Sequence, residues 1–177
     1  LDMPTKVVAS IAEDVYGDPQ TRQKAIDAAK PWLDGINIDL KAFGEQFYKD
    51  FCKAHIQPVK ENIEYIAKQT DIWMELTTLL IPGKNDSEDE LKSIAEFIAG
   101  VSVDIPWHVS RFHPDYQMHD RGATPAATLL AVKVIRNRST SLSGRPIWLK
   151  ACPRVGMVMV ATSAMKAVKM AKDFKLI

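Results

Sequence analysis

The order of its predicted elements places this chain in the α/β class. Apolar, β-branched runs alternate with stretches whose apolar residues recur at helical spacing. Residues 73–100 show this most clearly, because an apolar run stops at Pro82 and Gly83 and an acidic helical pattern follows. Such alternation is typical of a parallel sheet with crossover helices. It predicts a doubly wound sheet or part of a (β/α) barrel, and in both folds sites gather at the carboxyl ends of the strands.

The strands are predicted from apolar and β-branched runs bounded by turn residues. These runs cover residues 6–12, 35–43, 71–81 and 105–113. No internal repeat or low-complexity linker separates them, and 177 residues are enough for one domain with a substantial core.

The helices are predicted from apolar spacing and capping residues. They cover residues 19–33, 57–69, 87–99 and 124–135. In the first helix, Pro19 stands at the start and four residues are predicted to share the inner face: Ala25, Ala28, Ala29 and Trp32. The second has three apolar residues at helical spacing: Val59, Ile63 and Ile66.

The last two helices carry start signals. Ser87 and Glu90 have the spacing of a capping box, in which each side chain bonds the backbone of the other. The buried stripe behind them is predicted to consist of Leu91, Ile94, Phe97 and Ile98. Thr124 is predicted to cap the final helix, with Pro125 at its first position.

Composition excludes several classes of function. Hydrophobic residues make up 46% and charged residues 25% of the chain, which is ordinary for a globular protein. A formal net charge of +1 gives no electrostatic basis for a nucleic acid partner. No apolar run reaches the roughly 18 residues of a membrane span, so we expect no membrane partner and a cytoplasmic location. Cys52 and Cys152 are expected to be free thiols there.

The second predicted strand places an acid and a base on one face. Side chains alternate along a strand, so one face of "INIDLK" carries Ile36, Ile38 and Leu40, and the other carries Asn37, Asp39 and Lys41. A strand covered on both faces is apolar throughout. Asp39 and Lys41 therefore either look into a barrel mouth or form a solvated ion pair on an edge strand, and the residues alone favour neither.

The next two strands repeat the pattern near the same end. Alternation puts Glu75, Thr77 and Leu79 on one face of the third strand, and Leu76, Thr78 and Leu80 on the other. In the fourth strand it groups Trp107, Val109, Arg111 and His113, of which Arg111 and His113 lie at the strand's end. Three neighbouring strands with polar groups at one end predict a site. His108 and His113 face opposite ways and make a poor metal pair, and no metal site is predicted.

Several segments together resemble a known family. "NIDLKAF", "FYKDFC", "W.ELTTLLIPGKNDSE.EL" and "DIPWHVSRFHPDY.M.DR..TP" are similar to the radical SAM enzymes of the AmmeMemoRadiSam system, which are related to pyruvate formate-lyase activating enzymes. The resemblance covers about residues 31–133. It implies a partial (β/α) barrel, and a four-iron four-sulfur cluster that cleaves S-adenosylmethionine to a 5′-deoxyadenosyl radical.

The resemblance also implies roles for particular residues. Asp39 and Lys41 match the "DLK" acid and lysine that hold the methionine part of S-adenosylmethionine. Thr77 and Leu79 face the cofactor, and His113 matches a strand-end histidine that contacts it. The match of Arg111 to a cofactor-binding residue is weaker.

The chain departs from the family in three respects. The glycine-rich cofactor segment of the family's earlier strands is missing. The CxxxCxxC motif that binds the cluster is absent, so the cluster ligands are lacking and the chain corresponds to the C-terminal half of the barrel. Residues 134–177 form a tail without resemblance to the family, for which a frameshift is one hypothesis. We therefore expect two parts, a partial barrel at 1–133 and a divergent tail at 134–177.

Three functions remain open at this stage. The first is a fragment of an activating-type radical SAM enzyme that is inactive alone, with a protein substrate or a separate N-terminal half as partner. The second is a non-catalytic barrel half that acts as a binding module or complements such a half. The third is an unrelated α/β enzyme that uses Asp39, Lys41 and His113 for acid–base chemistry.

Overall fold

The structure, a computed structural model, contains one sheet of six strands in the order β1-β2-β3-β4-β6-β5. It describes residues 8–10, 18–114, 118–140, 148–152 and 157–161. The strands are β1 (Val8–Ser10), β2 (Gly35–Asp39), β3 (Trp73–Leu80), β4 (Trp107–Arg111), β5 (Trp148–Cys152) and β6 (Met157–Ala161). Strands β1 to β4 pair in parallel, whereas β6 is antiparallel to both β4 and β5. The α/β class and the alternation of parallel strands with helices are confirmed.

Helices connect the parallel strands. They are α1 (Pro19–Ala29), α2 (Glu45–Phe47), α3 (Ile56–Gln69), α4 (Glu88–Val101) and α5 (Ala126–Thr140). A 3₁₀ turn, Lys30–Trp32, follows α1, and a π-helical turn, Tyr48–Cys52, follows α2. Among the helices of the described residues, none combines the length and the apolar character that crossing a membrane requires. Of the first predicted strand, residues 8–10 are a strand and the remainder of 6–12 lies outside the described residues.

The hydrophobic core lies on one face of the sheet. The alternation predicted for β2 and β3 is confirmed, because their apolar sides are buried in a single cluster with the inner faces of the helices. The strand residues of this cluster are Ile36, Ile38, Met74, Leu76, Leu80, Trp107 and Val109, and Leu40 joins them directly after β2. Helices α3 and α4 contribute Val59, Ile63, Ile66, Leu91, Ile94 and Ile98. Phe97, predicted for the α4 stripe, packs at the edge of the cluster and is partly buried.

The predicted inner face of the first helix is wrong. Trp32 is 66% exposed and lies in the 3₁₀ turn after α1, and the buried residues of α1 are Arg22 and Ile26. The buried Arg22 contacts α3, where its Nη2 lies 2.5 Å from Glu61 Oε2. The start of the helix is as predicted, and Asp18 caps it by accepting a hydrogen bond from the backbone of Thr21 at 2.8 Å.

The capping predictions are only partly correct. Ser87 Oγ accepts from the backbone N–H of Glu90 at 3.2 Å, as expected. The Glu90 carboxylate, however, accepts hydrogen bonds from the backbone N–H groups of Phe43 and Gly44. The reciprocal half of the capping box is therefore replaced by a tie to the loop after β2.

Thr124 does not cap the last helix. Helix α5 begins at Ala126, and Thr124 is fully buried before it. Its hydroxyl donates to Leu80 O at 2.6 Å and accepts from Phe112 N at 2.8 Å. The residue predicted as a helix cap thus joins the ends of β3 and β4.

The chain after residue 133 continues the fold. Helix α5 runs across the expected boundary at 133, and β6 pairs with β4 so that Met157 lies opposite Ser110. Cys152 and Met157 are paired where β5 and β6 meet. The division into parts at 1–133 and 134–177 stays a prediction.

Candidate functional site

A polar row crosses three parallel strands on the face opposite the core. Asp39 of β2 is in register with Thr77 of β3, which is in register with His108 of β4. Two residues earlier along the same strands, Asn37 of β2 is in register with Glu75 of β3. We call Asp39, Thr77 and His108 the polar row. Three strands thus bring polar side chains to one face, as the alternation in β2 and β3 predicted.

Asp39 and Lys41 form an ion pair at the carboxyl end of β2. Lys41 Nζ lies 2.9 Å from Asp39 Oδ2, and their side chains are 41% and 43% exposed. The backbone N–H of Lys41 donates to the Tyr48 hydroxyl at 3.1 Å, which fixes the chain just past the strand. An ion pair this exposed adds only about 0–1 kcal/mol of stability. Both charged groups are therefore accessible to a ligand at little cost to the fold.

Asn85 holds the end of β2 against the end of β3. Its side chain is almost fully buried, and Nδ2 donates to Lys41 O at 2.6 Å and to Leu79 O at 2.9 Å. Its Oδ1 accepts from Ile81 N at 2.7 Å. The sequence patterns above did not single out this asparagine. Its position after a Pro-Gly turn, where an amide bonds backbone groups locally, was the available signal.

The turn after β3 requires its glycine. Gly83 has a φ of 72°, a left-handed conformation that side chains disfavour, and its N–H donates to Asp86 Oδ1 at 2.7 Å. Arg121 Nη1 donates to Pro82 O at 2.7 Å. The same guanidinium holds the pKa of Asp120 below its usual range through a hydrogen bond. This turn ends β3 and brings the Asn85 side chain to the backbone of Leu79 and Ile81.

A buried threonine ties the strands together on the core side. The Thr78 hydroxyl donates to Leu40 O at 2.6 Å and accepts from Trp107 Nε1 at 2.8 Å. Because Leu40 lies between Asp39 and Lys41 in sequence, this bond positions the backbone that carries the ion pair.

Glu75 and His108 form a buried pair on the face of the sheet opposite the core, which we call the polar face. His108 Nε2 lies 2.8 Å from Glu75 Oε2, and Trp73 Nε1 donates to Glu75 Oε1 at 3.0 Å. The side chains of His108 and Glu75 are 7% and 12% exposed. Sequence reasoning considered His108 only as a metal ligand and missed this pair. The available signal for this pair was alternation in β4. It puts the His108 side chain on the other face of the sheet from Trp107 and on the same face as Glu75.

The structure brings four of the six predicted site residues to one face. Besides Asp39 and Lys41, Thr77 donates to Asn37 Oδ1 at 3.0 Å, and Leu79 is 42% exposed on the same side by alternation.

The other two predicted site residues lie elsewhere. Arg111 shares the core-side alternation of Trp107, and its Nε donates to Thr124 O at 2.9 Å. His113 lies two residues past the end of β4 and is exposed. Cofactor binding by all six residues stays a prediction.

The described residues contain no group of three or more His, Cys, Asp or Glu side chains that could hold a metal ion. Cys52 lies in the π-helical turn and is half-buried.

Comparisons with known proteins relate part of this chain to activating enzymes. No family model matches it. An uncharacterized protein of Methanocaldococcus jannaschii is 43% identical over 98 residues, which are 55% of this chain and 29% of that protein. A putative glycyl-radical enzyme activating enzyme of the same organism is 30% identical over 118 residues, which are 62% of this chain and 45% of that protein. The chain therefore spans less than half the length of each relative.

A solved structure supports the fold. The crystal structure of a domain of a pyruvate-formate lyase-activating enzyme from Bacteroides vulgatus matches with a TM-score of 0.53 at 21% identity, covering 66% of this chain and 69% of that one. The parallel α/β arrangement thus matches part of an activating-enzyme structure. Taken together, the chain has a distant similarity to glycyl-radical and pyruvate formate-lyase activating enzymes over part of its length.

Proposed function

We propose that this chain is the C-terminal part of an activating-type radical SAM enzyme, related to those of the AmmeMemoRadiSam system. In this proposal, β1 to β4 are part of a (β/α) barrel and the polar face lines its interior. Two similarities support this assignment. One is to the putative glycyl-radical enzyme activating enzyme, and the other is to the solved activating-enzyme domain.

One observation carries the proposal for the site. An accessible carboxylate and an accessible ammonium group lie 2.9 Å apart at the carboxyl end of a parallel strand. The methionine end of S-adenosylmethionine carries the complementary pair, an α-ammonium and an α-carboxylate group. Asp39 binds the ammonium group and Lys41 the carboxylate, with charge-assisted hydrogen bonds in both cases. Thr77 and Leu79 line the same face beside them, whereas Arg111 lies on the core side of β4 and His113 lies past its end.

The cluster that the family implies does not fit this chain. A four-iron four-sulfur cluster needs several cysteine thiolates close together, whereas the sequence has two cysteines separated by 100 positions. In the enzymes concerned, the cluster supplies the electron that cleaves S-adenosylmethionine. We propose that a separate N-terminal half provides the cluster, and that a protein is the substrate of the assembled enzyme. This chain contributes the residues that bind and orient the amino acid end of the cofactor.

Binding of S-adenosylmethionine to the purified chain tests the proposal. Isothermal titration calorimetry compares the wild type with Lys41→Met, which removes the proposed carboxylate partner. A hydrogen bond to a charged group contributes about 1.5–3 kcal/mol, so we expect affinity to fall by about tenfold to a hundredfold.

Lys68→Met is the matched control. Lys68 also lies 3.0 Å from an acidic side chain, Glu64, and is half-exposed, but it is on α3 away from the polar face. We expect the Lys68→Met variant to bind S-adenosylmethionine with an affinity within about twofold of the wild type. Equal losses in both variants, or no binding to the wild type, would refute the proposed cofactor site.

A further inference from the structure

One ring nitrogen of His108 forms no hydrogen bond to any of the described residues. Its Nδ1 is buried and has no hydrogen-bond partner within the part of the chain that the structure describes. Buried polar atoms are nearly always paired, because leaving one unpaired costs about 1–3 kcal/mol. The other ring nitrogen, Nε2, is occupied by Glu75 at 2.8 Å. The unpaired atom therefore needs an explanation.

The Glu75 carboxylate determines which ring nitrogen carries the proton. A carboxylate only accepts hydrogen bonds, and Glu75 already accepts one from Trp73 through Oε1. The 2.8 Å contact thus places a proton on His108 Nε2. In the neutral ring, Nδ1 then carries a lone pair, which can accept a hydrogen bond. Glu75 also fixes the ring's orientation, as carboxylates do for histidines in other sites.

Accessibility falls along the polar row toward His108. The Asp39 side chain is 43% exposed, Thr77 is half-buried, and the His108 side chain is 7% exposed. Neighbouring strands are about 4.8 Å apart, so Asp39 and His108 lie roughly 10 Å apart across the sheet. A ligand lying along the row would have a solvated, charged end at Asp39 and Lys41. Its other end would lie at His108, removed from water, and a hydrogen bond is stronger in such a buried environment.

We propose that His108 Nδ1 accepts a hydrogen bond from a hydroxyl group of a ligand bound along the polar row. The inference rests on the proposed function for its ligand class, a nucleoside with free ribose hydroxyls that is joined through its 5′ carbon to the sulfonium sulfur of an amino acid. His108 is the binding residue, and Glu75 is the positioning residue that holds it as an acceptor. The row thus distinguishes the two ends of the ligand, with charged groups at Asp39 and Lys41 and a hydrogen-bond acceptor at His108.

Two substitutions separate the two nitrogens of the ring. His108→Asn places an acceptor oxygen near the position of Nδ1 and loses the bond to Glu75. His108→Gln keeps a donor near the position of Nε2 and loses the acceptor. We expect S-adenosylmethionine to bind His108→Asn within about threefold of the wild type and His108→Gln about tenfold more weakly. A merely structural role predicts the opposite order, because His108→Gln keeps the bond to Glu75.

Nitrogen-15 NMR of the wild-type imidazole gives a readout that needs no variant to fold. We expect the free chain to show the Nε2–H tautomer, and the Nδ1 resonance to move to lower chemical shift when S-adenosylmethionine or adenosine is added. If S-adenosylmethionine binds by calorimetry and Nδ1 does not move, the inference fails and the proposed function stands. If adenosine moves Nδ1 and S-adenosylmethionine does not bind, the inference stands and the proposed function fails. If neither probe moves Nδ1, the inference is overturned.

Discussion

Replacing Thr78 by valine should destabilise the fold strongly although it conserves side-chain volume. The Thr78 hydroxyl is fully buried, donates to Leu40 O at 2.6 Å and accepts from Trp107 Nε1 at 2.8 Å. Thr78→Val loses the bond to Leu40, which contributes about 1 kcal/mol, and leaves the Trp107 N–H buried without an acceptor, at a cost of about 1–3 kcal/mol. We expect the free energy of unfolding to fall by about 2–4 kcal/mol, a large share of the roughly 5–15 kcal/mol typical of a domain.

Urea denaturation followed by circular dichroism measures this effect, with Thr78→Ser as the control. Serine keeps the hydroxyl and loses one methyl group, so we expect a loss of about 1 kcal/mol. The double variant Thr78→Val with Trp107→Phe removes both partners of one bond, and its cost should be smaller than the sum of the single costs. A Thr78→Val variant as stable as Thr78→Ser would refute the assignment of these hydrogen bonds.

Three further predictions concern the loop after β2, an exposed pair and the cysteines. Glu90→Gln should lower the free energy of unfolding by about 1–2 kcal/mol, because the charged acceptor of the Phe43 and Gly44 N–H groups is lost; unchanged urea midpoints would contradict this. A hydrogen bond from His55, and then one from a backbone N–H, lowers the pKa of Glu45 from 4.5. Since the folded pKa is the lower one, Glu45 stabilises the fold above pH 4.5, and this contribution is lost as the pH falls through the lowered pKa. The difference in melting temperature between the wild type and Glu45→Gln should therefore shrink on acidification, and a constant difference would disprove the linkage. Anaerobic reconstitution with iron and sulfide should yield no stable cluster, read by visible absorbance and iron content, because closely spaced thiolates are lacking; a stable cluster would show that the two cysteines or a dimer supply ligands.

The parallel strands and their helices could be predicted because local patterns and packing agree. In β2 and β3, alternation separates Ile38 and Leu40 from Asp39, and the structure buries the first two and leaves the acid half-exposed. In α3, three apolar residues at helical spacing face the core as expected. Periodicity predicts such elements well, since one face of each is buried. The same alternation predicted that Asp39 and Lys41 would be close together.

The features that the sequence did not reveal depend on contacts between distant residues. Arg22 is buried because Glu61 on another helix pairs with it, and no local pattern shows this. Glu90 fits a capping box in sequence, yet the loop after β2 takes its carboxylate. His108 pairs with Glu75 because β3 and β4 are in register, and register between strands 33 positions apart is not encoded locally. Asn85 likewise donates to Lys41 O, 44 positions away, and no local pattern shows this contact.

The β5–β6 pair extends the sheet past β4. Its two strands meet at Cys152 and Met157, and Met157 lies opposite Ser110 near the carboxyl end of β4. This end of the β5–β6 pair therefore lies at the edge of the sheet that carries Asp39 and Lys41. It belongs to the stretch after residue 133, where the resemblance to the radical SAM family ends. The polar row is thus built by strands that the resemblance covers, and the sheet is continued past them by strands that it does not cover.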